Sequence, residues 1–115
     1  MVLGSFSFFP TKLITTGEGG MVTTNNKEIA DYVKQVRHHG QKNGLMTEMG
    51  YNWRMPTLSA ILGLSQLKRL DSFIERRNEI ADKYKNAFQG MDEIELIDVP
   101  GYITHGYWKY PILLK

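Results

Sequence analysis

The chain opens on a short apolar run. Residues 4–9 are rich in phenylalanine and end at Pro10, which predicts a strand, since the run is too short for a helix. Its Phe6, Phe8 and Phe9 read as buried on both faces. A loop over 11–20 follows, with Gly17, Gly19 and Gly20 suited to a tight turn, and then a second strand over 21–24. The short connection makes the pair antiparallel. Asn25 and Glu28 fit a capping box, and Ile29, Val33 and Val36 recur on one helical face. Arg37, His38 and His39 would close that helix before Gly40, as cations near a helix C-terminus do. Residues 41–55 show neither period and read as an irregular loop. Pro56 and Thr57 open a helix whose Leu58, Ile61, Leu62, Leu64, Leu67 and Leu70 cover more than one face, predicting wide burial. In it, Ala60 and Gly63 allow another backbone to come close. A helix over 71–89 carries one apolar stripe, Phe73, Arg77, Ile80, Tyr84 and Phe88; the two can also form one helix bent near 70–72. Gly90 ends it, and edge strands are expected over 93–98 and over 107–114, the latter interrupted by Pro111.

Composition narrows the function classes. The 115 residues are 42% hydrophobic and 23% charged, as in an ordinary globular protein of at most one domain, not necessarily a whole one. The net charge of +2 is spread along the chain, without the basic face that nucleic acid demands. There is no cysteine, which excludes disulfides and thiolate metal sites and fits a reducing, cytoplasmic setting. No apolar run approaches the roughly 20 residues of a membrane span. Both ends fall on apolar strands with nothing to cover them, so we expect an internal part of a longer protein.

Among candidate chemistries, Lys12 stands out. Phe8, Phe9, Pro10, Leu13 and Ile14 surround it in sequence, and a lysine ammonium is costly to desolvate, which is how such an amine becomes a nucleophile toward an aldehyde. A solvated lysine at a strand end is the alternative. Gly17-Glu18-Gly19-Gly20 lacks the Lys-Ser/Thr of a phosphate loop and reads as a turn. His38 and His39 would point about 100° apart on a helix, a poor arrangement for one metal ion. No G-x-S-x-G elbow is present for a serine nucleophile. Asn52, Trp53 and Arg54 suit either a binding loop or a surface turn around a buried tryptophan. The bases from Lys68 to Lys85 alternate with Asp71, Glu75, Glu79 and Asp82, as on a solvated helical face.

Taken in order, Ser7-Phe8-x-x-x-Lys12, Thr16-Gly-Glu-Gly-Gly20, His39-Gly40, Gly50-Tyr-Asn-x-Arg-Met55, Gln66-Leu-x-x-Leu70 and Arg76-Arg-x-x-Ile-Ala-x-x-Tyr84 resemble the DegT/StrS-type sugar aminotransferase family. The resemblance runs from Ser5 to about Tyr84 and more loosely to Tyr110. It implies an α/β fold, a fragment of an aspartate-aminotransferase-like (fold type I) enzyme. Residues 1–70 would be the C-terminal part of the large cofactor-binding domain, and 71–115 a connecting helix and the start of the small domain. The implied cofactor is pyridoxal 5′-phosphate. Lys12 matches the lysine that takes the cofactor aldehyde as an imine and moves the proton between cofactor and substrate carbons. Ser7 matches the serine that holds the cofactor phosphate. Asn52 matches an asparagine that reaches that phosphate from the neighbouring subunit of a homodimer. Arg54 sits where the family places a substrate-facing group. The implied substrates are a nucleotide-linked keto-sugar and glutamate, in surface polysaccharide or glycosylated-metabolite synthesis. The acidic partner of the pyridine nitrogen and most of the small domain would lie outside these residues, so the chain alone is expected to be inactive. A dimerisation or binding module derived from the family and a sugar dehydratase are the other readings. Some relatives of the dehydratase kind carry histidine where this chain has Lys12.

Overall fold

The computed structural model describes residues 2–115. They form two compact units, Met1–Leu64 and Ser65–Lys115. In the first, strands β1 (Leu3–Ser7) and β2 (Gly20–Thr24) pair antiparallel, with Phe6 opposite Met21. The expected strand pair is present, but its burial is not: Phe6 is 54% exposed and Phe9 45%. An open cleft separates Phe6 from Val33 of the following helix and from Trp53, and leaves its ring in contact with solvent.

Helix α1 (Lys27–Val36) starts one residue later than the capping box predicts. The Thr24 hydroxyl at the end of β2 accepts from the Asn26 amide (3.1 Å), and Asn25 lies in the bend. Asn26 is therefore the cap, its side-chain oxygen accepting from the amides of Glu28 (2.8 Å) and Ile29 (3.2 Å). Lys27 pairs with Asp31 one turn on, and that hydrogen bond holds the Asp31 carboxyl below its ordinary range. The helix stops before the histidines. His39 and Gly40 take positive φ (57° and 68°), and the Gly40 amide donates back to the Gln35 carbonyl at 3.0 Å. A Cβ at Gly40 would run into the Glu48 carbonyl, so only glycine fits this reversal.

The segment expected to be irregular holds a small hairpin, β3 (Gln41–Lys42) with β4 (Leu45–Met46). Its turn is Asn43-Gly44, both at positive φ, the pairing a two-residue hairpin turn requires. Helix α2 (Thr57–Leu67) follows, and the division between the units falls within it. Its predicted wide burial is overturned: Leu58 is 82% exposed, Leu64 62% and Ile61 59%. The side chains of α2 are apolar on nearly every face, and too few elements surround them here to cover more than a part.

The second unit is built on helix α3 (Leu70–Phe88), separated from α2 by Lys68 and Arg69. Its covered face keeps Phe73, Arg77 and Phe88 of the expected stripe, all half-buried, but widens toward Ile74, Asn78 and Ala81. Ala81 is buried, Ile74, Arg77 and Asn78 are half-buried, while Ile80 and Tyr84 are exposed. Beside Ala81, two side chains hold the backbone of 105–107: Arg77 donates to the Tyr107 carbonyl (2.8 Å) and Asn78 to the His105 carbonyl (3.0 Å). Strands β5 (Ile94–Leu96) and β6 (Ile112–Leu114) pair antiparallel, both shorter than expected. β6 begins only after Pro111, because that residue donates no ladder bond and 105–107 are committed to α3. Among the described residues no helix is long and apolar enough to cross a membrane.

Candidate active site

Lys12 lies on the connection from β1 to β2, and this connection is closed by its own hydrogen bonds. At its mouth the Phe8 amide donates to the Gly19 carbonyl (2.9 Å), extending the strand pairing past Ser7. The Phe8 carbonyl accepts twice, from the Thr16 amide (3.0 Å) and the Thr15 hydroxyl (2.9 Å). Thr15 in turn accepts from the Gly17 amide (3.0 Å), and the Thr16 hydroxyl donates to the Glu18 carbonyl (2.7 Å). Within the loop the Lys12 amide donates to the Phe9 carbonyl at 2.9 Å, a tight turn. Ser7 Oγ accepts from the Phe9 amide at 3.4 Å. Phe9 thus ties to both Ser7 and Lys12, the two residues singled out on this stretch. Lys12 is half-buried and Ser7 is exposed. A lysine on a loop so closed is held by its backbone, while its long side chain keeps its reach.

Asn52 and Arg54 lie on the segment that returns alongside the end of α1. The Tyr51 amide donates to the Val36 carbonyl (2.8 Å), His39 donates to Tyr51 (2.9 Å) and Trp53 to Arg37 (3.0 Å). His38 and Asn52 form an isolated antiparallel bridge. The run 51–54 is therefore extended, and its side chains alternate. Tyr51 and Trp53 stack, with ring centroids 4.1 Å apart and planes 7° from parallel. Asn52 and Arg54 form the other set, joined by a bond from Arg54 Nε to Asn52 Oδ1 at 3.4 Å. Trp53 is 64% exposed, which removes the reading of this stretch as a turn around a buried tryptophan. The structure thus groups Ser7 with Lys12 and Asn52 with Arg54, each pair on its own element of the first unit.

Sequence reasoning passed over Thr15 and gave Thr16 no role beyond its place in the Thr16–Gly20 motif, although adjacent threonines ahead of a glycine are a signal for side chains that close turns on the backbone. It also passed over an open cleft of about 750 Å³ lined by Phe6, Met21, Val33, Arg37, Trp53 and Arg54 among others. Arg54 borders this cleft, but Lys12, Ser7 and Asn52 do not. The cleft is lined mostly by apolar side chains, with Glu18, Lys34, Arg37 and Arg54 as its charged groups. Among the described residues no three His, Asp or Glu side chains approach closely enough to hold a metal ion.

The Lys12 loop and the 51–54 segment offer different donors. The first carries one amine and one hydroxyl, the second an amide whose oxygen is engaged by Arg54, which leaves the nitrogen end for an anion.

A sequence profile of the DegT/DnrJ/EryC1/StrS aminotransferase family matches residues 2–115. A Campylobacter jejuni protein named UDP-4-amino-4,6-dideoxy-N-acetyl-beta-L-altrosamine transaminase is 42% identical over 117 residues, covering 97% of this chain and 31% of its own. Among solved structures, Helicobacter pylori PseC, an aminotransferase involved in the biosynthesis of pseudoaminic acid, superposes with a TM-score of 0.89 at 32% identity, over 98% of this chain and 32% of that one. The E. coli GDP-4-keto-6-deoxy-D-mannose-3-dehydratase, solved with bound hydrated PLP, superposes with a TM-score of 0.85 at 26% identity, over 98% of this chain and 34% of its own. The chain therefore spans about a third of the length of the proteins it matches. Its mixed arrangement of helices and strands is that of a part of the sugar-aminotransferase fold, as the sequence resemblance implies.

Proposed function

The chain belongs to the DegT/DnrJ/EryC1/StrS aminotransferase family, and on that premise we propose that it carries the reactive lysine of a pyridoxal-phosphate-dependent aminotransferase acting on a nucleotide-linked keto-sugar. The observation that supports this most is the closed loop that presents Lys12 with Ser7 at its base. When bound, pyridoxal phosphate supplies the electron sink that lets an amino group pass between two carbon skeletons. The chain's own residues do the rest. Lys12 Nζ is the nucleophile toward the aldehyde, and afterwards holds and returns a proton. Ser7 Oγ and the Asn52 amide would hold the phosphate when it is bound, Asn52 that of the neighbouring copy in a homodimer. The Arg54 guanidinium, on the border of the open cleft, faces the charged part of the substrate. Glutamate is the amino donor, and the setting is cytoplasmic. Residues 1–70 belong to the large domain and 71–115 to the connecting helix and the start of the small one. The chain alone supplies too few of these groups for turnover.

In the full-length protein, Lys12→Ala abolishes the visible absorbance that appears on adding pyridoxal phosphate, and no cofactor is trapped on the protein by borohydride. Trapping that survives the substitution refutes the role of Lys12. The dehydratase reading has one observation in its favour, the fold shared with the E. coli enzyme. Product mass decides between them: a product that gains an amino group only when glutamate is present is the transaminase outcome.

A further inference from the structure

The reactive loop has a second anchor, on α2. Three of the described residues are buried, Thr16, Gly40 and Ala81, and Thr16 has the only buried side chain with a polar group, 4% exposed. Its hydroxyl and amide serve the loop itself, through the Glu18 and Phe8 carbonyls. Its methyl serves another element. A Cβ placed on Gly63 would lie 2.8 Å from Thr16 Cγ2, and one on Gly19 would lie 2.5 Å from Thr16 Oγ1. Real Cβ contacts are longer, so the Thr16 side chain fills the space left by two missing side chains, one on its own turn and one on α2. Gly63 sits mid-helix, where glycine costs about 1 kcal/mol relative to alanine, and its contact with Thr16 gives the cost a reason.

We propose that Thr16 is a positioning residue that seats the Lys12 loop against α2 at Gly63, and so sets where the lysine amine stands. This rests on the reading of Lys12 as the reactive amine. The hydroxyl fixes the shape of the turn, and the methyl fixes its distance from the helix. α2 begins just after Asn52 and Arg54, so the same contact ties the loop to the helix that the second pair of site residues leads into. A displacement of about 1 Å at a reactive group can cost on the order of a hundredfold in rate, so a small steric change at Gly63 has a large lever.

Four variants of the full-length protein test this: Thr16→Ser, Thr16→Val, Gly63→Ala and the double variant Thr16→Ser/Gly63→Ala. The first readout needs no cofactor. With pyridoxal phosphate removed, the rate of acetic anhydride labelling at Lys12 is followed by peptide mass spectrometry, with Lys85 as the internal reference. Gly63→Ala is expected to change the Lys12 rate, relative to Lys85, by at least about threefold, and Thr16→Ser in the same chain to return it to within about twofold of the parent, because serine lacks the methyl the new Cβ would strike. Thr16→Val, which keeps the shape and loses the hydroxyl, should shift the rate, and so should Thr16→Ser alone, which leaves no methyl between loop and helix, so that each single variant departs from the parent and only the double returns to it. The second readout, on the protein with cofactor, is kcat against KM: Gly63→Ala lowers kcat more than it raises KM, and the serine rescue restores it. A role in stability alone would move the melting temperature and leave the labelling ratio unchanged, and that result overturns the proposal. So does a Gly63→Ala effect, including loss of folded protein, that Thr16→Ser fails to rescue. The labelling and its rescue hold even if borohydride trapping shows that the cofactor attaches elsewhere, so this proposal and the assignment of Lys12 can fail separately.

Discussion

The two units hold their irregular segments by different balances of backbone and side-chain bonds. In the first, the loops are closed mainly by backbone groups: Phe8 with Gly19 and Thr16, Gln35 with Gly40, Val36 with Tyr51 and Arg37 with Trp53. In the second, backbone turns close 88–94 and 100–103, and the segment 105–110 is held by side chains of one helix. Arg77 and Asn78 reach the carbonyls of Tyr107 and His105, and Tyr110 lies against Tyr84 and Tyr107 with ring centroids 5.3 and 5.8 Å away. Backbone closure survives most side-chain changes and fails only where the backbone itself is strained. A side-chain clasp is open to single substitutions. The lysine assigned to chemistry stands on both kinds of support, the backbone closure at Phe8 and the side chains of Thr15 and Thr16.

This contrast can be broken at chosen points. The largest effect is expected from Gly40→Ala. The new Cβ meets the Glu48 carbonyl at a residue with φ of 68°, and the combined strain and overpacking cost about 2–4 kcal/mol. In the full-length protein this should lower the urea midpoint and speed amide hydrogen exchange over 36–53, with no matching change over 105–110. Exchange that rises in both segments together would erase the distinction between the units.

Arg77→Ala comes next. It removes a charged donor from the Tyr107 carbonyl in a half-buried setting, and about 1–2 kcal/mol is expected, with faster exchange confined to 104–110. Asn26→Ala removes the cap of α1 and should cost about 1 kcal/mol, with Asn26→Ser recovering most of it. The same substitution at Asn25 should change little, which separates the observed cap from the one the capping box points to.

The smallest effect is a pH dependence of the second unit. Partial burial, then the neighbouring Tyr107 and Asp82, push the Tyr110 phenol above its ordinary value. Between the ordinary and the raised value, the folded state binds more protons than the unfolded one, so stability falls as pH rises through that alkaline window. Below it the contribution is fully present. Tyr110→Phe should flatten the alkaline fall in denaturation midpoint, and an unchanged profile would show that the ring is as well solvated folded as unfolded.

Local features of the fold were legible in the residues. The β1–β2 pair follows from two short apolar runs and a glycine turn, and α1 follows from its apolar face, with the cap misplaced by one asparagine because Thr24 claims the Asn26 amide. The hairpin at 41–46 was there to be read in Asn43-Gly44 and was hidden by the weak pattern of its two-residue strands. Burial was the least legible property. The leucines of α2 report how apolar a helix is, not whether this chain provides a cover for it. The candidate site divides in the same way. Lys12 and Ser7 are a local pattern. The meeting of the Thr16 methyl with Gly63 is a tertiary contact that no spacing announces, although Gly63 was marked as a place where a backbone could come close.

The two tryptophans, Trp53 and Trp108, are divided one to each unit. Emission from these residues therefore sums two reporters, one in each unit. Trp53 lies face to face with Tyr51, while Trp108 has the Lys109 ammonium 5.1 Å from its ring centre. These are different electrostatic surroundings for an indole excited state, whose emission colour follows the field across the ring. Replacing either tryptophan with phenylalanine leaves a single-colour probe of one unit, and the pair of variants turns an ordinary fluorescence melt into two separately resolved ones.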